Sequence, residues 1–391
     1  MDRPTGTLVG FSSSGSKRIT SLEESSLVTQ YLETYGTNVT FNLTMGTPFW
    51  SPCESVQQAI IQSCSLPETY RYGATSGISQ LQVELGKRLD RKFASSCASE
   101  VMICAGSNQG FLNILLCLCN PGDQIILFRP YYFSHYTACL LAGLEPVVVH
   151  TDSDFLPPPQ SLKITDKTKL VVVVSPGNPS GRVVGVDLMR CLYQLCSQKG
   201  VWLLIDEAYE HFTFDGAESN SFSATDGVIN LYTFSKSHSL AGLRVGYFCY
   251  PHYLRKHMLE IQDTIATHAC HLAQRAALAA INNCSDDWIR QQVQQGIVPR
   301  REIFWQVVSR YHTCKADGGF FFFVPLPKNV SSYQAVDYLM KHYGILVFPG
   351  DLFGMSNYLR VSYGSLSSLE ETRKAAMNLK MALDTLWDGM E

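Results

Sequence analysis

The stretch YTFSKSHSLAGLRVGYF, residues 232–248, sets one lysine, Lys236, among small hydroxyl residues and follows it eight positions later with Arg244. In so apolar a setting a lysine is poorly solvated, and desolvation or a neighbouring cation lowers its pKa and frees the amine. Free amines attack carbonyls, so the stretch has the make-up of a Schiff-base lysine with an arginine returning to hold an anion. An ordinary turn with a solvated lysine fits the same letters, and the wider sequence decides between them.

Four other segments carry comparable groups, each just after a short apolar run. GSNQG, residues 106–110, follows VMICA and leads into a helical pattern, so Ser107, Asn108 and Gln109 can present backbone N–H groups to a phosphate, or form a plain tight turn. It is neither the G-x-G-x-x-G nor the G-x-x-x-x-G-K-[ST] loop, which weakens dinucleotide and nucleoside triphosphate readings. In RPYYFSHY, Pro130 fixes an extended turn, and Tyr131 or Tyr132 can lie flat against a planar ligand or serve as a core aromatic. SPGNPSGR is a rigid loop in which Asn178 supplies an amide at a strand end. After VWLLI come Asp206 and, three residues on, Tyr209. A carboxylate at so apolar a strand end is costly unless a cation or several donors pair with it, although an Asp can also cap the next turn.

The elements that position these groups are legible in the same runs. VMICAG, QIILFRP, EPVVVH, KLVVVVSP, VWLLIDEAY, VINLYTFS and VGYFCY are too short for helices and lack polar alternation, which predicts seven strands buried on both faces of a mainly parallel sheet. Amphipathic segments such as GFLNILLCLCN and DLMRCLYQLCSQKG separate them, the rhythm of an open α/β sheet. In such sheets ligands sit beyond the carboxyl ends of the strands, where the five segments fall.

A long helical stretch is expected around residues 252–281, and then an α+β texture with strands in GGFFFFVPL, GILVFPG and YLRVSYG. SSLEETRKAAMNLKMALDTLW closes the chain as a helix, Ser367 or Ser368 capping with Glu370 or Glu371. Residues 1–40 are rich in Ser and Thr, with a mobile lead-in at 10–18 and a candidate helix at 22–36. The division read from this is 1–40 joining a smaller α+β domain, 41–265 as a larger cofactor-binding domain and 266–391 as the smaller one.

The totals agree with an enzyme of this kind. The 391 residues exceed one ordinary core; 46% are hydrophobic and 17% charged, and the formal charge of −3 offers no basic field for nucleic acid or a membrane surface. The 13 cysteines are scattered without a C-x-x-C pair, which predicts neither a disulfide framework nor a metal site and suits a reducing cytoplasm. No apolar run reaches membrane-spanning length and the N-terminus lacks a secretory h-region, so the N-x-[ST] triplets at Asn38, Asn42, Asn283 and Asn329 are expected to be chance matches.

Phosphate cradle, stacking ring, amide, carboxylate and imine-forming lysine together suit pyridoxal 5'-phosphate, whose ring nitrogen works as an electron sink when a carboxylate keeps it protonated. From about residue 41 to 364 the sequence resembles the fold-type I aminotransferases of class I and II, the aspartate, aromatic and kynurenine group; its wording is closest to plant-type aromatic or methionine aminotransferases. The resemblance implies that Lys236 is the Schiff-base lysine and proton carrier, Asp206 the ring-nitrogen partner, Tyr209 and Asn178 the groups on the ring oxygen, and Tyr132 the stacking ring. It implies a phosphate site of Ser107, Asn108, Gln109, Thr233, Ser235 and Arg244. YRYGATSG is similar to a segment whose tyrosine, here Tyr72, reaches the phosphate of a neighbouring subunit, which implies a homodimer. Arg360 in NYLRVSYG matches a substrate-carboxylate grip, and Gly46 in LTMGTP a backbone position beside it.

The implied reaction is exchange of an amino group between an amino acid, aromatic or large apolar, and a 2-oxo acid by a ping-pong mechanism, without nucleic-acid or membrane partners. One departure stands out: where the family reads S-K-x-[FY], this chain has His238, either an extra acid or base or a packing residue. As an acid or base it would favour elimination, cyclisation or oxidation on the same cofactor. A non-catalytic regulator of this fold would be expected to have lost the lysine or the carboxylate. A second substrate contact is expected near residues 11–20, 45–50 or 260–270.

Overall fold

The computed structural model describes residues 38–93, 99–218 and 227–389, with Gln30, Glu33 and Thr34. Apart from those three residues, the helix expected over 22–36 lies outside the described residues, as do the lead-in at 10–18 and the contact segment at 11–20.

All seven apolar runs form strands: β2 (Ser99–Cys104), β3 (Gln124–Arg129), β4 (Glu145–His150), β5 (Thr168–Val174), β6 (Trp202–Asp206), β7 (Val228–Thr233) and β8 (Gly246–Pro251). They make one sheet in the order β2-β8-β7-β6-β5-β3-β4. Only β8 runs against its neighbours. In the central strands the missing polar alternation follows from burial on both faces: Leu170 and Val172 enter one apolar cluster, Val171 and Val173 the opposite one, whereas β4, at the sheet's edge, is only partly buried. Helices α1 (Glu54–Ser63), α2 (Ser79–Phe93), α3 (Ser107–Leu118), α4 (Phe133–Leu141) and α5 (Val186–Lys199) supply the covering layers.

The long helical stretch divides into α6 (Arg255–Ala266) and α7 (His271–Asn283). The break falls at Thr267, whose φ of +55° cannot continue a right-handed helix. Helices α8 (Asp286–Gln292), α9 (Val298–Val308) and α10 (Ser332–Tyr343) follow, with strand β9 (Phe321–Pro325) between the last two. GILVFPG gives two strands: β10 (Ile345–Leu346) pairs in parallel with β1 (Phe41–Asn42), while β11 (Phe348–Pro349) joins β12 (Tyr358–Ser362) and β9 in an antiparallel sheet. The final helix, α11 (Leu369–Asp388), starts with Ser368 accepting from the Glu371 N–H at 3.1 Å, while the Glu371 carboxylate reaches back to the N–H and hydroxyl of Ser367. The two capping roles are thus shared between both serines.

Contrary to the expectation from scattered cysteines, Cys53 pairs with Cys284, tying the start of α1 to the end of α7. A separation of 231 residues leaves no spacing signal in the sequence.

Candidate active site

A cavity of about 160 Å³ opens at the carboxyl ends of β2, β3, β5, β6 and β7. Ser107, Asn108, Tyr132, Asn178, Asp206, Tyr209, Thr233, Ser235, Lys236 and Arg244 all line it, so the five segments singled out in the sequence converge on one place. Lys236 follows β7, and burial, reinforced by Arg360 and Arg244, pushes its pKa down from 10.5 to about 8. Its amine is therefore close to its titration point at neutral pH.

Asp206 ends β6 and is 3% exposed. Its Oδ1 accepts the Ala208 N–H at 2.9 Å, and its Oδ2 lies 3.1 Å from His135 Nε2. His135 itself stacks on Phe111 with centroids 4.0 Å apart. The sequence reading missed His135, although its place three residues after Tyr132 puts both on one helical face. Tyr209 is buried, which raises its pKa far above the phenolic range; Asn178 hydrogen-bonds it. The Oδ1 of Asn178 accepts from Arg360 Nη1 at 3.0 Å, so one amide joins Tyr209 to Arg360.

Arg360, on β12, is buried; its Nη2 donates to the Thr44 carbonyl, and Nε has no partner among the described residues. Burial pushes its pKa down to about 10, which leaves it charged at neutral pH. The rings of Phe321 and Phe348 each lie 4.6 Å from the guanidinium carbon, and that of Phe353 5.4 Å. Gly46 sits beside the lysine: a Cβ there would lie 3.6 Å from Lys236 Nζ and 3.7 Å from the Tyr209 hydroxyl.

At the other end of the cavity, α3 begins at Ser107 with Gly106 at φ +80° as its cap. The N–H groups of the first turn have no intrahelical partners and face outward with the positive end of the helix dipole. A Cβ on Gly106 would meet Arg244 Nη2 at 2.4 Å, so only glycine lets the guanidinium close over this helix end. Thr233 and Ser235 complete the cradle, their hydroxyls 2.8 Å apart.

Some expected residues stand elsewhere. The Gln109 side chain is turned away, accepting from Ala105 N–H and donating to Gln262 Oε1 at 2.9 Å, which leaves its backbone N–H for the cradle. Tyr131 stacks on Tyr136, and Phe133 packs on Phe348 and Phe353 beside Arg360. Tyr72 is 88% exposed and outside the cavity. His238 is not part of the lining: it is buried between Phe234 and His211, its Nδ1 2.8 Å from the Ser237 hydroxyl. Burial, then His211 and Arg88, push its pKa down to about 3, so it is neutral and fills the packing slot.

The chain belongs to the class I and II aminotransferase family, whose model matches residues 39–379. It is 31% identical over 361 residues to an aromatic aminotransferase of Arabidopsis thaliana, covering 88% of this chain and 90% of that protein. With an aspartate aminotransferase of Geobacillus stearothermophilus it shares 28% identity over 345 residues, 83% of this chain and 87% of the relative. A double mutant of Thermus thermophilus aspartate aminotransferase superposes with a TM-score of 0.85 at 25% identity, covering 96% of this chain and all of that one. The protein is a fold-type I, pyridoxal-phosphate-dependent aminotransferase. The cavity fits the cofactor: anion-binding N–H groups and Arg244 at one end, a buried carboxylate and an amine of lowered pKa at the other, and a cradle that a Cβ would fill. Among the described residues, no helix is long and apolar enough to cross a membrane.

Proposed function

We propose that this aminotransferase acts on L-amino acids with aromatic or large apolar side chains, with a 2-oxo acid as acceptor. Bound pyridoxal 5'-phosphate supplies a ring that withdraws electrons and acidifies the substrate Cα–H. Lys236 would hold the cofactor covalently until the substrate's own amino group takes its place; its released Nζ, whose pKa burial lowers to about 8, would then take up the Cα proton and deliver it back. Asp206, oriented by Ala208 and His135, would present its carboxylate to the ring nitrogen. Tyr209 and Asn178 would hold the ring oxygen, Tyr132 would supply the ring-stacking face, and the first turn of α3 with Thr233, Ser235 and Arg244 would hold the phosphate, all from the lining of one cavity.

Arg360 grips the substrate carboxylate through its planar fork, with Gly46 leaving room beside it. The observation that carries the substrate class is the cage of Phe321, Phe348 and Phe353 around that guanidinium. The name of the Arabidopsis relative supports the same choice. Steady-state kcat/KM for phenylalanine, tyrosine, methionine and aspartate tests it: the aromatic substrates should exceed aspartate at least about tenfold, the worth of one well-made polar contact. A preference for aspartate refutes the substrate class.

The proposal includes a cytoplasmic homodimer in which Tyr72 of the partner subunit reaches the phosphate. The exposure of Tyr70, Tyr72, Ile61 and Ile265 supports the dimer; the exposed free thiols of Cys64, Cys191 and Cys270 support a reducing compartment, against which the Cys53–Cys284 pair stands. It also keeps two domains, 41–265 and 266–391, with residues 1–40 joining the second; the Thr40 N–H donating to the Gly344 carbonyl at 2.8 Å supports that join.

A further inference from the structure

Between β1 and α1, residues 43–50 run across the mouth of the site as a strap. Its first half is bound to β12: the Ser362 N–H donates to the Leu43 carbonyl at 2.9 Å and the Ser362 hydroxyl to the Met45 carbonyl at 2.6 Å, with Arg360 on the Thr44 carbonyl between them. Its last residue is bound to the lysine turn. Trp50 Nε1 donates to the Ser237 carbonyl at 3.3 Å, and the Trp50 carbonyl accepts from the Ser239 hydroxyl at 2.7 Å. These two contacts bracket the turn immediately after Lys236, which is itself closed by Ser239 N–H on the Lys236 carbonyl at 3.2 Å.

The turn needs bracing. Ser239 stands at φ +57°, a region that a non-glycine residue occupies at a cost, so the conformation holds only when its surroundings over-determine it. The indole is in turn fixed: it stacks on Phe212 at 6.0 Å with planes 10° apart, and Phe212 N–H donates to the Tyr209 carbonyl at 2.8 Å. Next to it, Phe49 lies 3.7 Å from the Arg300 guanidinium carbon. The strap therefore connects the carboxylate grip, the lysine turn and the Tyr209 segment through rigid, packed groups.

We infer that Trp50 is a positioning residue for Lys236: its indole N–H and carbonyl set where Nζ stands relative to the ring held by Asp206 and Tyr209. The inference rests on Lys236 being the cofactor-binding lysine. The test uses the cofactor-loaded enzyme and the variants Trp50→Phe, which keeps a ring and removes the N–H, and Ser239→Gly, which removes the hydroxyl while accepting positive φ.

Three readouts are taken: kcat, the dissociation constant of the unreactive carboxylate 3-phenylpropionate, and the pH midpoint of the bound cofactor's visible absorbance. Positioning predicts that each variant lowers kcat about three- to tenfold, the loss of one hydrogen bond. It also predicts a displaced absorbance midpoint and a 3-phenylpropionate affinity unchanged within about twofold. Wild-type kcat and midpoint in Ser239→Gly overturn the inference even where Trp50→Phe fails to fold. Equal weakening of 3-phenylpropionate binding and kcat also overturns it, since the strap would then serve Arg360 alone. If the underlying reading fails instead, wild-type protein itself shows no lysine-dependent cofactor band, which separates the two failures.

Discussion

Asp206 Oδ2 and His135 Nε2 stand 3.1 Å apart at the base of the cavity, with Phe111 stacked on the far side of the imidazole. The carboxylate is thereby held from two directions, since its other oxygen takes the Ala208 N–H. Asp206→Asn should lower kcat about a hundred- to a thousandfold by removing the anion at the ring nitrogen. His135→Gln, which leaves the anion but loosens it, should cost about tenfold. Pre-steady-state rates of the amino-acid half-reaction check both; equal losses would mean that His135 does more than orient its partner.

Lys236→Met should abolish turnover. The same substitution reports on the cost of the buried amine. With the folded pKa at about 8 against 10.5, the unfolded chain binds the extra proton between those values, so this group makes stability rise with pH across that window. Below pH 8 the penalty is fully present. In the cofactor-free protein Lys236→Met should therefore be the more stable form at pH 7, by about 3 kcal/mol. Denaturant melts at pH 7 and pH 10 check the gap, which should shrink at the higher pH.

Arg360→Lys keeps the charge and loses the fork. It should lower kcat/KM for the amino acid about a hundredfold, the cost of breaking a buried charge-assisted pair. Asn178→Ala, which frees the guanidinium from its 3.0 Å partner, should give a smaller loss of the same kind. If neither changes KM or kcat/KM, the carboxylate is held elsewhere.

His238 is neutral and packed, so His238→Phe should leave the pH profile of kcat between about pH 6 and 9 as it is. Stability should respond at acid pH instead. With the folded pKa at about 3 against 6.5, the unfolded state takes up a proton that the native state refuses, and wild type loses stability as pH falls through that interval. The variant should lose less between pH 7 and 4.5, which paired thermal melts measure.

The central sheet and most of the site are legible in the sequence for one physical reason. Buried parallel strands force uninterrupted apolar runs such as KLVVVV, and ligands must sit where those runs end, so Lys236, Asp206 and Asn178 announce themselves by position, while the choice of Tyr132 over Tyr131 comes from the family resemblance. What the sequence hides depends on contacts between distant segments. Trp50 meets the lysine turn across 187 residues and Cys53 meets Cys284 across 231, neither with a local signal. The break of the long helix at Thr267 is set by backbone conformation, which a helical pattern of letters does not disclose. The letters leave His238 open between acid–base chemistry and packing; its burial and its Ser237 partner decide for packing.

The measurement that bears most directly on the enzyme's proposed chemistry is an anaerobic absorbance titration of the cofactor-loaded protein with phenylalanine, without any 2-oxo acid. Stoichiometric loss of the lysine-linked band with gain of the pyridoxamine band, reversed by a 2-oxo acid and absent in Lys236→Met, is the predicted result. Consumption of phenylalanine with the lysine-linked band unchanged would contradict it.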